Sequence, residues 1–375
     1  RVRSGTRRTT ASQPAPEPPL PETSGLMEEG FHMTSPVRIG LVGYGFGGRY
    51  FHAPLLAVAP DCEFLGVVTT SPERRAQVAQ DLGRPTYATL EELARAGAEA
   101  VAISTPAATH IPLVQEAVNL GLGVVCDKPF ALDARSASET VEMAERHEVP
   151  LTVYQNRRWD SDFLTLRQLL DQGSLGTLTR FESRFERFQP EPGPPAAGGG
   201  TLLDFGSHLV DQALVLSGQV ERVYAEVHRR NDEDGLDDDV FLALTHRNGV
   251  RSHLWGSWRQ SAPGPRFRAT GTRASYVVDG VDGQEALLVA GASPGSEGDR
   301  WGSEPELRRG QLLRAGRAEP VTLARGKWDL FYPAFAAAVR GTGSVPVDPW
   351  DAVATATVLD AARASADSGR TVHLS

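Results

Sequence analysis

The stretch Val37-Arg38-Ile39-Gly40-Leu41-Val42-Gly43-Tyr44-Gly45-Phe46-Gly47-Gly48 decides the reading of this chain. It opens on a short apolar run of the kind that forms a strand buried on both faces. Gly43, Gly45 and Gly48 then follow in the spacing G-x-G-x-x-G. In such a turn the first glycine allows a tight bend and the second lets the backbone approach a pyrophosphate. The third lets helix and strand pack closely. The N–H groups of a following helix, predicted over residues 49–59, are free to meet phosphate. A glycine-rich turn alone is common. This one sits between a strand and a helix and heads a strand–helix–strand unit, so it predicts dinucleotide binding, with Phe46 and Gly47 inside the same loop.

Working outward, Phe64–Val68, Ala100–Ile103, Gly123–Cys126 and Leu151–Val153 read as further buried strands. Helices are predicted over 72–82, 112–120 and 134–147. Strands alternating with helices give a parallel sheet covered on both faces, so residues 34–153 read as a Rossmann domain. The pattern then changes. A helix over 161–171 leads into long alternating runs at 177–188, 220–228, 240–245 and 250–258, without helices between them. They predict an open, mostly antiparallel sheet with helices on one face, in an α+β domain over 154–375. Late helices at 328–340 and 350–365 can pack back on the Rossmann domain, and 372–374 reads as a last strand. Residues 190–200 and 294–305 read as exposed loops, and 232–239 as a solvated acidic hairpin.

Composition narrows the function. Against 38 Lys and Arg stand 47 Asp and Glu, a net charge of −9 over 375 residues. Sequence-independent nucleic-acid binding needs a basic footprint, so it is excluded. No apolar run approaches the ~18 residues of a membrane span. Cys62 and Cys126 can make neither a disulfide framework nor a four-thiolate zinc site, and a reducing cytoplasm is the simplest location. Residues 1–33, with Arg1, Arg3, Arg7, Arg8 and the Pro-rich stretch 14–21, read as a disordered tail without chemistry. Met33 stands just before the first strand, so the tail reads as upstream or added sequence.

Three further segments carry chemistry. Thr69-Thr70-Ser71-Pro72-Glu73-Arg74-Arg75 follows the second strand. NAD enzymes usually place a carboxylate at this strand end, on the ribose 2′-OH. Here Thr69 and Ser71 offer hydroxyls and Arg74 a guanidinium, which suit a 2′-phosphate and predict NADP, with NAD as the alternative. Ser71 reads equally as a helix cap. Lys128 lies just past the strand Gly123–Cys126, at the sheet edge where ligands sit. There it can hold a substrate hydroxyl beside a nicotinamide, or be a surface lysine. Asp204 and His208 stand four apart, on one face of a helix, as an oriented base or a surface pair. No His or Cys cluster completes a metal shell.

Together and in this order, these segments resemble the Gfo/Idh/MocA family of NAD(P)-dependent oxidoreductases, from about Val37 to the C-terminus. Asp127-Lys128-Pro129 is similar to the family's Glu-Lys-Pro, with Asp127 in place of Glu. Gly200 to His208 is similar to its Gly-x₃-Asp-x-Gly-x-His. The resemblance implies catalytic roles for Lys128, Asp204 and His208, with Asp204 orienting His208 or a substrate hydroxyl. Thr105, Pro106 and His110 resemble its Thr-Pro-x-x-x-His turn over the cofactor, although Ala107 stands where the family often has Asn. Tyr154–Phe163, Phe51–Leu55 and Asp282–Glu285 look like the NADP-dependent scyllo-inositol dehydrogenase branch. In that likeness Asn156, Arg157 and Trp159 are candidate substrate contacts, although Arg157 and Trp159 also read as packing at the domain junction. The implied activity is reversible oxidation of a secondary alcohol of a cyclic polyol or sugar, without metal, in a homodimer or homotetramer joined through the C-terminal sheet. Rival readings are an aldose dehydrogenase acting at the anomeric carbon, a non-catalytic NAD(P)-sensing regulator on the same fold, and an interaction-only protein.

Overall fold

The N-terminal apolar runs pair as parallel strands because each is buried on both faces. In the computed structural model, which describes residues 35–230 and 235–374, they form a six-stranded sheet. Its order is Thr86–Tyr87, Cys62–Val68, Val37–Val42, Ala100–Ile103, Gly123–Cys126, Leu151–Val153. The first strand lies mid-sheet, and the chain winds away from it in both directions. The order reverses between Val37–Val42 and Ala100–Ile103, which opens a crevice at their C-terminal ends. The tail 1–33 lies outside the described residues.

Local chemistry sets the helices. Pro72–Leu82 begins where Ser71 Oγ accepts the Arg74 N–H at 3.2 Å, and ends at Gly83 with φ of +59°. The helix expected over 49–59 is instead a π-helical turn, Gly47–His52, followed by Ala53–Leu56. The Ala53 N–H reaches back to the Gly48 carbonyl, and Pro54 has no N–H to continue an α-helical ladder.

The second sheet has nine strands, antiparallel except where Leu178–Glu186 runs parallel to Arg251–Ser257. Along Asp237–His246 buried and half-buried residues alternate strictly. The buried set meets helices Ser161–Asp171, Thr201–Ser217 and Pro349–Ser368 on one face, through Phe163, Leu209, Leu242 and Val358. Asp237–Asp239, expected in a solvated hairpin, belong to this strand, and Asp238 is buried beside His228 Nδ1 at 2.7 Å. Residues 231–234 of that connection lie outside the described residues.

The sequence pattern missed several elements. Strands Phe267–Gly271, Ser275–Val278, Gly310–Arg314 and Arg317–Val321 extend the second sheet. Arg317–Val321 is an edge strand, largely exposed, and there Pro320 and charged residues are tolerated. Within the expected loop 294–305, Pro294–Glu297 is a helix capped by Ser293, and Trp301 is fully buried. No helix among the described residues is long and apolar enough to cross a membrane.

Trp301 belongs to a core that crosses the chain. With Trp328 and the helix Phe331–Val339 it packs against Val37, Ile39 and Leu41 of the parallel sheet. The late chain therefore completes the interior of the N-terminal sheet. Phe335→Ala should cost about 3–5 kcal/mol of stability, measured by urea unfolding. A loss below about 1 kcal/mol would show that this helix merely rests on the sheet.

Candidate active site

A cleft of about 520 Å³ opens where Val37–Val42 and Ala100–Ile103 end. Its floor is the glycine turn, and each glycine there has its own steric reason. Gly43 has φ of +90°, and a Cβ on it would lie 2.2 Å from the Ser104 carbonyl oxygen. A Cβ on Gly48 would lie 2.4 Å from the Gly43 carbonyl, so the third glycine closes the turn on itself. Gly45 is the opposite case, with no atom within 4 Å of the Cβ position. The turn is thus tight inside and open outside at one backbone position, the shape a pyrophosphate needs. Phe46 is exposed above it, tilted against Tyr50 and edge-on to Phe51.

Beside the turn, Asp127 and Lys128 follow the strand Gly123–Cys126. Asp127 Oδ1 accepts the Lys128 N–H at 2.8 Å, and Oδ2 accepts the Ser104 hydroxyl at 2.9 Å. His52 Nε2 lies 3.3 Å from Oδ2, off the line of a hydrogen bond, while its Nδ1 is 2.6 Å from the Tyr332 hydroxyl. Burial opposes ionisation of Asp127, but His52 and Lys128 outweigh it and hold the carboxyl well below its usual range.

The other wall is the helix Thr201–Ser217. Asp204 and His208 do share one of its faces, but Asp204 does not orient the imidazole. Its Oδ1 instead receives the Lys128 ammonium in a short ion pair. His208 is buried, and among the described residues its Nδ1 has no hydrogen-bond partner. Burial first, then the cations Lys128, Arg157, Arg266 and Arg187, push its pKa far below the ordinary imidazole range. At neutral pH the ring is therefore uncharged and able to accept a proton. Phe185 lies beside it, ring centroids 6.3 Å apart, and continues through Phe205 to Trp258.

Residues 37–155 match the model of an oxidoreductase family with an NAD-binding Rossmann fold, and residues 163–277 match the GFO/IDH/MocA C-terminal domain. The chain belongs to the Gfo/Idh/MocA family of oxidoreductases. It is 30% identical to the NADP-dependent scyllo-inositol 2-dehydrogenase IolW of Bacillus subtilis, over 90% of this chain and 96% of that one. D-apiose dehydrogenase of Paraburkholderia graminis is 28% identical over 89% of this chain and 88% of its own. Among solved structures, the oxidoreductase YvaA of Bacillus subtilis superposes with a TM-score of 0.84 at 30% identity, covering 91% of this chain and 98% of that one.

The Gfo/Idh/MocA motifs fall into two groups. Gly43, Gly45, Phe46, Gly47, Arg74, Thr105, Pro106, Lys128, Asn156, Arg157, Asp204 and His208 all line the cleft. Gly48, Thr69, Ser71, His110 and Trp159 do not. His110 is buried behind it, with Nδ1 2.7 Å from the Pro129 carbonyl and Nε2 2.9 Å from that of Thr105, so it ties the two loops together. Thr69 Oγ1 accepts the Ser71 N–H at 3.3 Å, bracing the turn before Arg74. The Trp159 ring packs edge-on against Phe331, centroids 5.6 Å apart, and is packing rather than lining. Among the described residues no group of three His, Cys, Asp or Glu is set to hold a metal.

Phe185, Arg187 and Trp258 line the cleft without having been singled out in the sequence, as do Pro195 and Ala197 of the expected loop 190–200, and Glu285 was read only as part of the branch-like stretch Asp282–Glu285. The first three end alternating strand runs, where periodicity marks a face without saying what it faces. Gly45→Ala should leave the melting temperature unchanged yet weaken dinucleotide binding, because only a bound dinucleotide would meet the new methyl. Gly48→Ala should lower the melting temperature in the absence of any ligand. Equal dinucleotide affinity for wild type and Gly45→Ala, by fluorescence titration, would place the pyrophosphate elsewhere.

Proposed function

We propose that this protein reversibly oxidises a secondary alcohol of a cyclic polyol or sugar, using NADP. The observation that carries this reading is the convergence of Lys128, past the end of a parallel strand, and His208, on the helix Thr201–Ser217 far along the sequence, on the cleft floored by the glycine turn. NADP, when bound, accepts or returns the hydride. His208, neutral and buried, takes the hydroxyl proton. Lys128 donates to the same oxygen and stabilises the charge that develops on it. Asp204 holds the ammonium in place, and Asp127 fixes the start of its loop.

The named relatives support the substrate class, since one acts on scyllo-inositol and another on D-apiose. The D-apiose relative also favours a second reading, oxidation of an aldose at its anomeric carbon, which would release a lactone rather than a ketone. A non-catalytic regulator has less support, because both proton-handling groups are present. For NADP, Arg74 lines the cleft beside the Ser71 cap, and no carboxylate ends the strand Cys62–Val68. Nη1 of Arg74 donates to Gln77 Oε1 at 2.7 Å, which leaves its other N–H groups for a 2′-phosphate. Two unpaired thiols suit a reducing cytoplasm. The uncovered sheet face, with Phe241 beside Trp255 and the Arg184 guanidinium 3.9 Å over Trp255, suits a homodimer or homotetramer.

Titration with both cofactors should give tighter binding of NADP than NAD, and the reverse order would overturn that assignment. Lys128→Met and His208→Ala should each lose on the order of 10²–10⁴-fold in turnover while still binding NADP. The double variant should lose much less than the product, since both groups act on one hydroxyl. The oxidation rate should rise with pH as His208 loses its proton. Because its pKa is depressed, that limb lies below the ordinary imidazole range, and the rate should be flat through pH 7. Near-normal turnover in His208→Ala with an unchanged limb would move the base elsewhere.

A further inference from the structure

The cleft holds a second charged pair that the proposed proton chemistry does not use. Arg187 follows the strand Leu178–Glu186, and Glu285 sits in the first turn of the helix Gln284–Val289. Both line the cleft, and Glu285 Oε1 accepts from Arg187 Nη2 at 2.8 Å. The neighbours of Glu285 are spent on structure. Asp282 accepts the Ser161 N–H at 2.6 Å, and Gln284 accepts the Trp328 N–H at 2.9 Å. Glu285 alone of that stretch reaches the cleft.

The two arginines on Glu285 differ in what they have left to offer. Arg157 is 6% exposed and binds both Glu285 and Asp160, so its charge is committed to the interior. Arg187 is 40% exposed, and among the described residues its Nε and Nη1 make no hydrogen bond. Its guanidinium lies 5.3 Å over Phe185 and 5.7 Å over both Phe205 and Trp258. Those buried rings pack on one another, Phe205 stacked on Trp258 and edge-on to Phe185, and the rims that line the cleft lead on to His208. Free donors on Arg187 and spare lone pairs on Glu285 therefore sit side by side, at the edge of an apolar surface that ends at the base.

That combination fits a flat, neutral, polyhydroxylated ring. Its C–H face would lie on the aromatic surface, one rim hydroxyl would donate to Glu285, and its neighbour would accept from Arg187. An anionic substituent fits less well. Burial opposes ionisation of Glu285, but Arg157 and Arg187 hold its pKa down to about 2, so a carboxylate already fills the place beside the arginine.

We propose that Arg187 and Glu285 are the specificity-determining pair of this cleft, reading two adjacent hydroxyls of a neutral ring and thereby selecting which carbinol meets His208. The proposal rests on the polyol reading above.

The test is a kinetic panel of inositol stereoisomers, their single-deoxy analogues and a uronic acid, on wild type, Arg187→Met and Arg187→Lys. Arg187 is chosen because Glu285→Gln would leave the buried Arg157 short of a counter-ion, so a loss there could be a folding defect. Arg187→Met should raise KM more than it lowers kcat, and should reduce discrimination between epimers by about 10–100-fold. Melting temperature and NADP affinity should stay at wild-type values, and Arg187→Lys should recover part of the selectivity. Unchanged epimer selectivity in Arg187→Met overturns this inference and leaves the polyol reading standing. A wild-type enzyme that oxidises none of the polyols overturns both. Preference for the uronic acid, lost in Arg187→Met, overturns the neutral-ring assignment.

Discussion

The cleft depends on one contact, the ion pair between Lys128 and Asp204. Lys128 leaves the end of a parallel strand, and Asp204 sits in the first turn of a helix laid on the other sheet. Their side chains are 19% and 16% exposed, so removing either one leaves a partly desolvated charge without its partner. The helix is itself pinned at its start. Thr201 Oγ1 donates to the Asp237 carbonyl at 2.6 Å, and the Asp237 carboxylate takes the Leu202 N–H. Gly200 makes this approach possible, because a Cβ there would lie 2.3 Å from Asp237 Oδ1. A carboxylate on the second sheet thus sets the helix, the helix sets Asp204, and Asp204 sets the ammonium. His208 follows on the same face one turn later.

Around His208 the charges are arranged with a bias. The groups that depress its pKa after burial are all cations. Arg157 and Arg187 have Glu285 between them, but among the described residues Arg266 makes no hydrogen bond or ion pair with a carboxylate. It donates to Ser183 Oγ, the Arg184 carbonyl and Gln212 Oε1, all neutral. Burial pushes Arg266 down to about 10, which still leaves it charged at neutral pH. A positive field at a buried imidazole keeps the ring neutral, and the same field favours negative charge on a nearby oxygen. Under the proposed function, one arrangement would serve both the base and the alkoxide formed beside it.

The parallel sheet, the open second sheet and the glycine turn were legible because they rest on periodicity and backbone sterics, which a sequence displays directly. Lys128, Asp204 and His208 were legible as a motif, but their pairing was not. Spacing four apart suggested that Asp204 serves His208, and only the meeting of two sheets gives Asp204 to Lys128. Trp159 shows the same limit from the other side. An aromatic residue near a cleft motif reads equally as wall or as packing, and Phe331, far along the chain, decides for packing. Arg187 carried no local signal, since an arginine after a strand is ordinary in isolation, and Glu285 was visible only within the stretch Asp282–Glu285, which did not say that it alone of the four reaches the cleft. The four strands between Phe267 and Val321, and Trp301, were missed for a related reason. Strands of four or five residues show too little alternation, and a lone tryptophan among charged residues gives no period to detect.

The late helix Phe331–Val339 ties these levels together. Phe331 and Phe335 fill the core beneath the first strand, while Tyr332 on the same helix reaches His52 at 2.6 Å. His52 ends the turn that begins with the glycines, and its other nitrogen faces Asp127, whose second oxygen holds the backbone of Lys128. The Lys128 side chain, to which the proposed function gives the substrate hydroxyl, is therefore braced from both ends of the chain: through Asp204 by the second sheet, and through Asp127, His52 and Tyr332 by a helix that follows that sheet. Neither half could supply this geometry alone. The cleft is a product of the whole described fold, and its chemistry is fixed by contacts that no single motif contains.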